Sequence, residues 1–195
     1  MRARDLFGSA ALAGVLLGLC GQARGQSDMA VAADRQVPLL LKILTYDRQL
    51  EVKAGSELVI GIVSSPTSLA SAKARGDVET VLHSYLGKTV KKLPLQYYWQ
   101  DYTTPEKLVG WIKAKKISVL YLSPGVEKSL TAILNVSREN HVTSITGVPD
   151  YVEKGVSVGI GERQAKPQIL INLTSSKAEG SEFDASLLRI ATVIK

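Results

Sequence analysis

Gly159 and Gly161 have the spacing that opens a dinucleotide-binding turn. That chemistry needs a third glycine and a helix starting directly behind it, so that free backbone N–H groups meet a pyrophosphate. Here Glu162 and Arg163 follow instead, and then a second apolar run over residues 168–174. The context is a hairpin, in which small residues let a helix or another backbone come close. The two histidines, His83 and His141, share no spacing that would set two metal ligands on one helix face. The chain has no Gly-x-Ser-x-Gly nucleophile elbow and no Walker loop. Its single cysteine, Cys20, lies near the N-terminus. The residues that could do chemistry are therefore scattered, and the expectation is no catalytic centre, no metal and no cofactor.

Residues 1–25 begin with Arg2 and Arg4, run apolar over residues 10–19 and end in Gln22-Ala23-Arg24-Gly25. A basic start, a short apolar run and small residues at its end predict a secretory signal peptide cleaved after Gly25, and hence a periplasmic protein. The apolar run is about half of what spans a bilayer. Leu17-Gly18-Leu19-Cys20 also approaches a lipoprotein signal, but Leu19 is bulky where such signals place a small residue. Cleavage after Gly25 leaves no thiol, which excludes disulfides, thiolate metal sites and thiol catalysis together. The formal charge is +6, and loss of three cations and one anion with the leader lowers it to +4. Mild basicity in an exported chain predicts no nucleic-acid partner; Lys113, Lys115 and Lys116 read as a solvated helix end.

The elements that must position any site follow from periodicity. Residues 26–34 are small and polar, a flexible lead-in. Val37, Leu40, Leu41 and Leu44 then take helical spacing, with Asp34 as a cap and Pro38 in the first turn. Residues 57–64 (ELVIGIVS) and 117–123 (ISVLYLS) are apolar on both faces, as strands inside a helix-covered sheet are. Val78, Val81, Leu82 and Tyr85 mark a helix that Gly76 should interrupt. Residues 93–100 alternate as a half-buried strand, and Pro94 puts it near an edge. Thr104-Pro105 caps a helix bearing Leu108, Trp111 and Ile112. Val126, Leu130, Ile133 and Leu134 mark another. Strands then follow at residues 141–147, 156–162 and 168–174, and a closing helix buries Leu187, Leu188, Ala191 and Ile194. Strands alternating with helices predict one α/β domain over residues 35–195. It holds a mixed, mostly parallel sheet with helices on both faces and a late antiparallel hairpin.

In such sheets ligands bind outside the carboxyl ends of the strands. Ser64, Ser65 and Thr67, then Ser123 and Gly125, then Thr146 occupy three of those ends and form the candidate ligand site. The second candidate is aromatic. Alternation turns Tyr97, Trp99 and Trp111 inward and leaves Tyr98 and Tyr102 as surface anchors for a partner.

Several stretches resemble the YfiR/HmsC-like family of exported bacterial proteins. VTSITGVPDYVEKGVSVGIG is similar to its strand, proline turn, glycine and hydrophobic strand. KPQILINLTSSKAEGSEFDASLLRIATVIK is similar to its closing pattern, through Ile171, Asn172, Leu173, Ala178, Gly180, Ser186, Leu187, Leu188 and Ala191. ELVIGIVSSPTSL and ISVLYLSPGVEKSL also fit. The resemblance implies a non-enzymatic periplasmic regulator. It would bind the periplasmic sensor domain of a membrane-anchored diguanylate cyclase, or a related signalling protein, and lower cyclic-di-GMP and biofilm matrix. Some family members depend on disulfides, which this chain cannot form. The alternative expectation is a small-ligand-binding sensor domain acting on a kinase or transport receptor. A second copy of the chain and a small ligand complete the expected partners.

Overall fold

The computed structural model describes residues 29–194. The predicted signal peptide, its predicted cleavage point and Cys20 lie outside the described residues. The first helix, α1 (Ala33–Leu44), buries Val37, Leu40, Leu41 and Leu44 as the spacing requires. Asp34 stands in its first turn rather than at its cap, and Pro38 sits mid-helix. After α2 (Leu50–Ala54) come β1 (Leu58–Ser64), α3 (Leu69–His83), β2 (Thr89–Val90), β3 (Leu93–Asp101), α4 (Pro105–Lys115) and β4 (Val119–Leu122). A single 3-10 turn leads into α5 (Leu130–Glu139), then β5 (Thr143–Thr146), α6 (Pro149–Glu153), β6 (Val158–Arg163) and β7 (Lys166–Asn172). The chain closes with α7 (Leu173–Ala178), α8 (Ala185–Leu188) and β8 (Thr192–Ile194).

The eight strands form one sheet in the order β2-β3-β1-β4-β5-β6-β7-β8. The five from β3 to β6 are parallel; β2 and β7 run antiparallel to β3 and β6, and β8 runs parallel to β7. From β1 the chain crosses to one side to make β3 and then to the other to make β4. The switch point of this doubly wound sheet therefore lies between β1 and β4.

Alternation along β1 sorts the core. Leu58, Ile60 and Ile62 join α1 and α3 on one face; Val59 and Val63 join α4 and α5 on the other. Both faces are helix-covered, which is why β1 reads as a continuous apolar run. Ser68 and Thr104 cap α3 and α4, with Pro105 in the first turn of α4.

Three elements depart from the pattern. Gly76 does not break α3, because Ser71, Ala74, Val78 and Leu82 are buried across it, and such packing outweighs about 1 kcal/mol of glycine propensity. The closing helix stops at Leu188, and Thr192, Val193 and Ile194 pair with Leu170, Ile171 and Asn172. Leu187 alone is buried in α8, whereas the free edge of β7 offers β-branched residues a full ladder. Finally, the lead-in from Met29 is held rather than loose: the Ala30 N–H donates to the Gly147 carbonyl at 3.2 Å, and Val31 is buried.

The Gly159 question also resolves here. A Cβ on Gly159 would overlap Val152 Cγ2 of α6. The glycine serves close helix-on-strand packing, and β6 turns back directly into β7.

Candidate functional site

The structure brings the predicted strand-end residues together, on the adjacent strands β1, β4 and β5, and it also fills the space between them. Ser64, Ser123 and Thr146 are fully buried. The Ser64 hydroxyl donates to Asp101 Oδ1 at 2.7 Å. Thr146 Oγ1 donates to the Leu122 carbonyl at 2.8 Å and accepts from the Val148 N–H at 3.1 Å. The Ser65 N–H donates to Ser71 Oγ at 2.8 Å, and Ser65 Oγ lies 3.4 Å from Thr67 Oγ1 on the exposed loop. Gly125 takes φ +89°, and a Cβ there would lie 2.7 Å from Ser68 Oγ. The loops after β1 and β4 therefore touch, with no room for a methyl group at Gly125. The Gly125 N–H donates to Tyr151 Oη at 3.0 Å. Burial first, and then Glu127, push the Tyr151 hydroxyl pKa well above its ordinary value. A single hydroxyl of the group, Ser123 Oγ, is buried without a hydrogen-bond partner.

Next to β5 the plug comes from the N-terminal segment. Gln36 is fully buried with its amide directly over Gly147. Its Nε2 donates to the Val31 carbonyl at 2.8 Å, and its Oε1 accepts from Tyr121 Oη at 3.1 Å. Met29 Sδ accepts from the same two groups. A buried glutamine on the apolar face of α1 carries no sequence signal; only the crossing of α1 over the strand ends gives it a role.

The outer side of β3 is the opposite case. β2 covers only Leu93 and Pro94. The Leu95 N–H turns outward to the Lys88 carbonyl, while the Tyr102 N–H turns inward to Ser64. By strand alternation the N–H and C=O groups of Tyr97, Trp99 and Asp101 face the open edge. Trp99 is 46% exposed, so the inward placement predicted for it fails. Its ring lies under the Arg75 guanidinium, 3.7 Å from the centroid. β3 is peripheral, and α3 covers the Trp99 ring there with a charged side chain, Arg75, rather than with apolar core. Tyr98 is 38% exposed on the other face, with Lys115 Nζ 4.6 Å from its ring centroid. Tyr97 is half-buried against the core, with its hydroxyl 3.4 Å from His83 Nδ1. Tyr102 is half-buried against the α4 face, and burial, then Glu106, raise its hydroxyl pKa. A cavity of about 440 Å³ follows the edge, lined by Leu86, Gln96, Tyr98, Trp99, Trp111 and Lys115 among others.

A third cluster, at the amino ends of β5 and β6, escaped the sequence reading. Glu179 is fully buried. It accepts from the Ser144 N–H at 2.8 Å, the Ser144 hydroxyl at 2.6 Å and the Ser157 hydroxyl. Burial raises its pKa to about 7 against the pull of these donors and of Lys53. Lys53 pairs with the buried Asp47 at 2.9 Å and donates to Thr143 and Ser181, both at 2.6 Å. The carboxylates and serines come from segments far apart in sequence, and no local spacing announces them. Among the described residues, no group of three or more His, Cys, Asp or Glu side chains is placed to hold a metal ion.

Residues 36–192 match the sequence model of the YfiR/HmsC-like family. The chain belongs to that family. No curated protein sequence matches it significantly. YfiR/HmsC-like proteins are periplasmic regulators that act in cyclic-di-GMP signalling, and the family is not a catalytic one. Solved structures with a similar fold include a conserved domain protein of Vibrio cholerae O1 biovar El Tor, at TM-score 0.59 and 14% identity over 84% of this chain. An ABC domain of Streptococcus pneumoniae in complex with L-Trp follows at 0.57 and 12%, also over 84%. A substrate binding protein with adhesive properties from Clostridium difficile, in its ligand-free open structure, reaches 0.51 and 20% over 75%. The chain spans 60%, 60% and 57% of those three chains. At such identities the likeness is one of fold. The closing family pattern has a structural basis here. Asn172 ends β7, accepts from the Ser175 N–H at 2.9 Å to cap α7, and donates to the Val152 carbonyl at 3.0 Å. That one side chain ties strand, helix and α6 together.

Proposed function

We propose that this YfiR/HmsC-like protein is an exported regulator without enzymatic activity. It binds the periplasmic sensor domain of a membrane-anchored diguanylate cyclase, or a related signalling protein, and holds it inactive. The family match over residues 36–192 carries this reading. The molecule's surfaces agree with it. The strand-end loops close on one another at Gly125 and Ser68. Exposed aromatic area concentrates along β3 at Tyr98 and Trp99, and the half-buried Tyr102 follows just beyond the strand. Rigid, amphipathic rings of this kind anchor protein contacts. Repression requires that the protein prefer the inactive state of its partner, and a stimulus acts by weakening that preference.

The test is genetic with a structural control. Deleting the gene should raise cellular cyclic-di-GMP and matrix production. Tyr98→Ala combined with Tyr102→Ala should mimic the deletion while the purified variant keeps its circular dichroism and a cooperative, somewhat lowered melting transition, and Tyr98→Ala alone should act in the same direction with the melting transition unchanged. Unchanged cyclic-di-GMP on deletion sinks the proposal.

A further inference from the structure

A regular strand with an open edge is a template for another strand, and folded proteins ordinarily blunt such edges with prolines, bulges or covering segments. β3 has its single proline, Pro94, where β2 already pairs, and its parallel pairing to β1 runs unbroken from Leu95 to Asp101. The outward groups of Tyr97, Trp99 and Asp101 therefore present one row of donors and acceptors. The cavity beside them is lined by Glu79 of α3, by Leu86, by residues 96–99 of β3 and by Trp111 and Lys115 of α4, so it lies where an added strand would run.

Charge then selects the strand. On the α3 side, Arg75 is already engaged by Glu79 and Asp101, each at 3.7 Å, and by the Trp99 ring. Glu79 also lines the cavity on that side, so with Arg75 neutralised the exposed surface left there for a new side chain is that of Leu86 and Trp99, and a further carboxylate would be repelled. On the α4 side, Lys115 stacks on Tyr98, with exposed Lys113 and Lys116 beside it. Among the described residues no carboxylate lies within ion-pair distance of these three lysines. Side chains of an added strand alternate between the two faces. We propose that the β3 edge takes up an extended segment of a protein partner by strand addition, and that this segment alternates apolar side chains toward α3 with acidic side chains toward α4. That the occupant belongs to a protein rests on the function proposed above; the edge geometry and its charge do not. Backbone pairing supplies the affinity and the alternate side chains the selectivity.

The experiment uses the purified protein and blocked synthetic peptides of about eight residues, the length of an ordinary strand. One alternates Val with Glu, one alternates Val with Lys, and one has the Val/Glu composition in two blocks. Tryptophan fluorescence gives affinity, and amide hydrogen exchange gives location. The Val/Glu peptide should bind best and slow exchange at Tyr97, Trp99 and Asp101. Trp99→Pro should weaken binding about tenfold relative to Trp99→Val, the size expected for one lost backbone hydrogen bond. Lys115→Glu should narrow the preference for the Val/Glu peptide, and Lys113→Glu with Lys115→Glu and Lys116→Glu should reverse it toward the Val/Lys peptide, which tests the charge argument without changing a residue of the strand. Equal binding of all three peptides, or protection elsewhere, overturns the inference. Protection of the same amides without peptide, growing with protein concentration alongside dimer formation, also overturns it and assigns the edge to a second copy. The two proposals fail separately. A deletion that raises cyclic-di-GMP with no peptide binding leaves the function standing and removes the edge. Peptide binding with no effect of deletion does the reverse.

Discussion

The carboxyl ends of β1, β4 and β5 and the outer edge of β3 both present polar backbone at the rim of one sheet, yet the molecule treats them oppositely. At the strand ends its own side chains take nearly every polar group. Ser64 meets Asp101, Thr146 meets Leu122, and the Gly125 N–H meets Tyr151. At the β3 edge the backbone of Tyr97, Trp99 and Asp101 is left to solvent, and aromatic rings stand beside it. A doubly wound sheet places its usual ligand crevice at the switch point. Here that crevice is packed, and the unfilled hydrogen-bonding capacity lies at the side. The amino end of the sheet extends the contrast, because the Glu179 and Lys53 cluster is highly polar and yet closed.

The comparison can be broken most severely at Gly125. Gly125→Leu adds bulk where a Cβ already meets Ser68 at 2.7 Å, on backbone at φ +89°. It should lower unfolding free energy by about 3 kcal/mol or more in urea denaturation. A loss below about 1 kcal/mol would mean that the loops part readily and that the crevice is available to a ligand.

The next effect is pH-dependent and sits at the amino end. Glu179 has its folded pKa raised to about 7 from an ordinary 4.5. Between those values the folded state holds a proton that the unfolded chain has released. The stabilisation from this group is therefore complete below about pH 4.5 and is lost as pH rises through about 7. Comparing denaturation at pH 5 and pH 8, Glu179→Gln should remove roughly 2–3 kcal/mol of this pH dependence. An unaltered pH profile in the variant would show that Glu179 does not titrate in this range.

Ser123→Ala gives the smallest effect and sharpens the comparison from the other direction. The Ser123 hydroxyl is buried and unpartnered, so its removal should raise stability by about 1 kcal/mol. A destabilised variant would reveal a partner for that hydroxyl at the strand ends, and with it a reason to look for an occupant.

Much of the architecture was legible because it depends on local pattern. The double-faced runs at residues 57–64 and 117–123 could only be central strands, and the split of Leu58, Ile60 and Ile62 from Val59 and Val63 follows from alternation alone. Thr104-Pro105 announced α4, and Glu162-Arg163 after Gly161 announced a hairpin. These signals survive folding because each is set by residues a few positions apart.

What tertiary structure decided are matters of which elements meet. β8 exists because the edge of β7 was vacant, although the same residues fit a helical stripe. Trp99 is exposed because β3 is nearly the last strand, a fact of sheet order that its alternating sequence does not contain. Gln36 over Gly147, and Glu179 between Ser144 and Ser157, join segments more than 20 residues apart. The sequence alone determined which residues prefer strand, helix or cap, since those preferences arise from each residue's own backbone and neighbours. Whether a strand end is plugged or an edge left open depends on crossings between distant elements, because burial and hydrogen-bond satisfaction are properties of the assembled sheet.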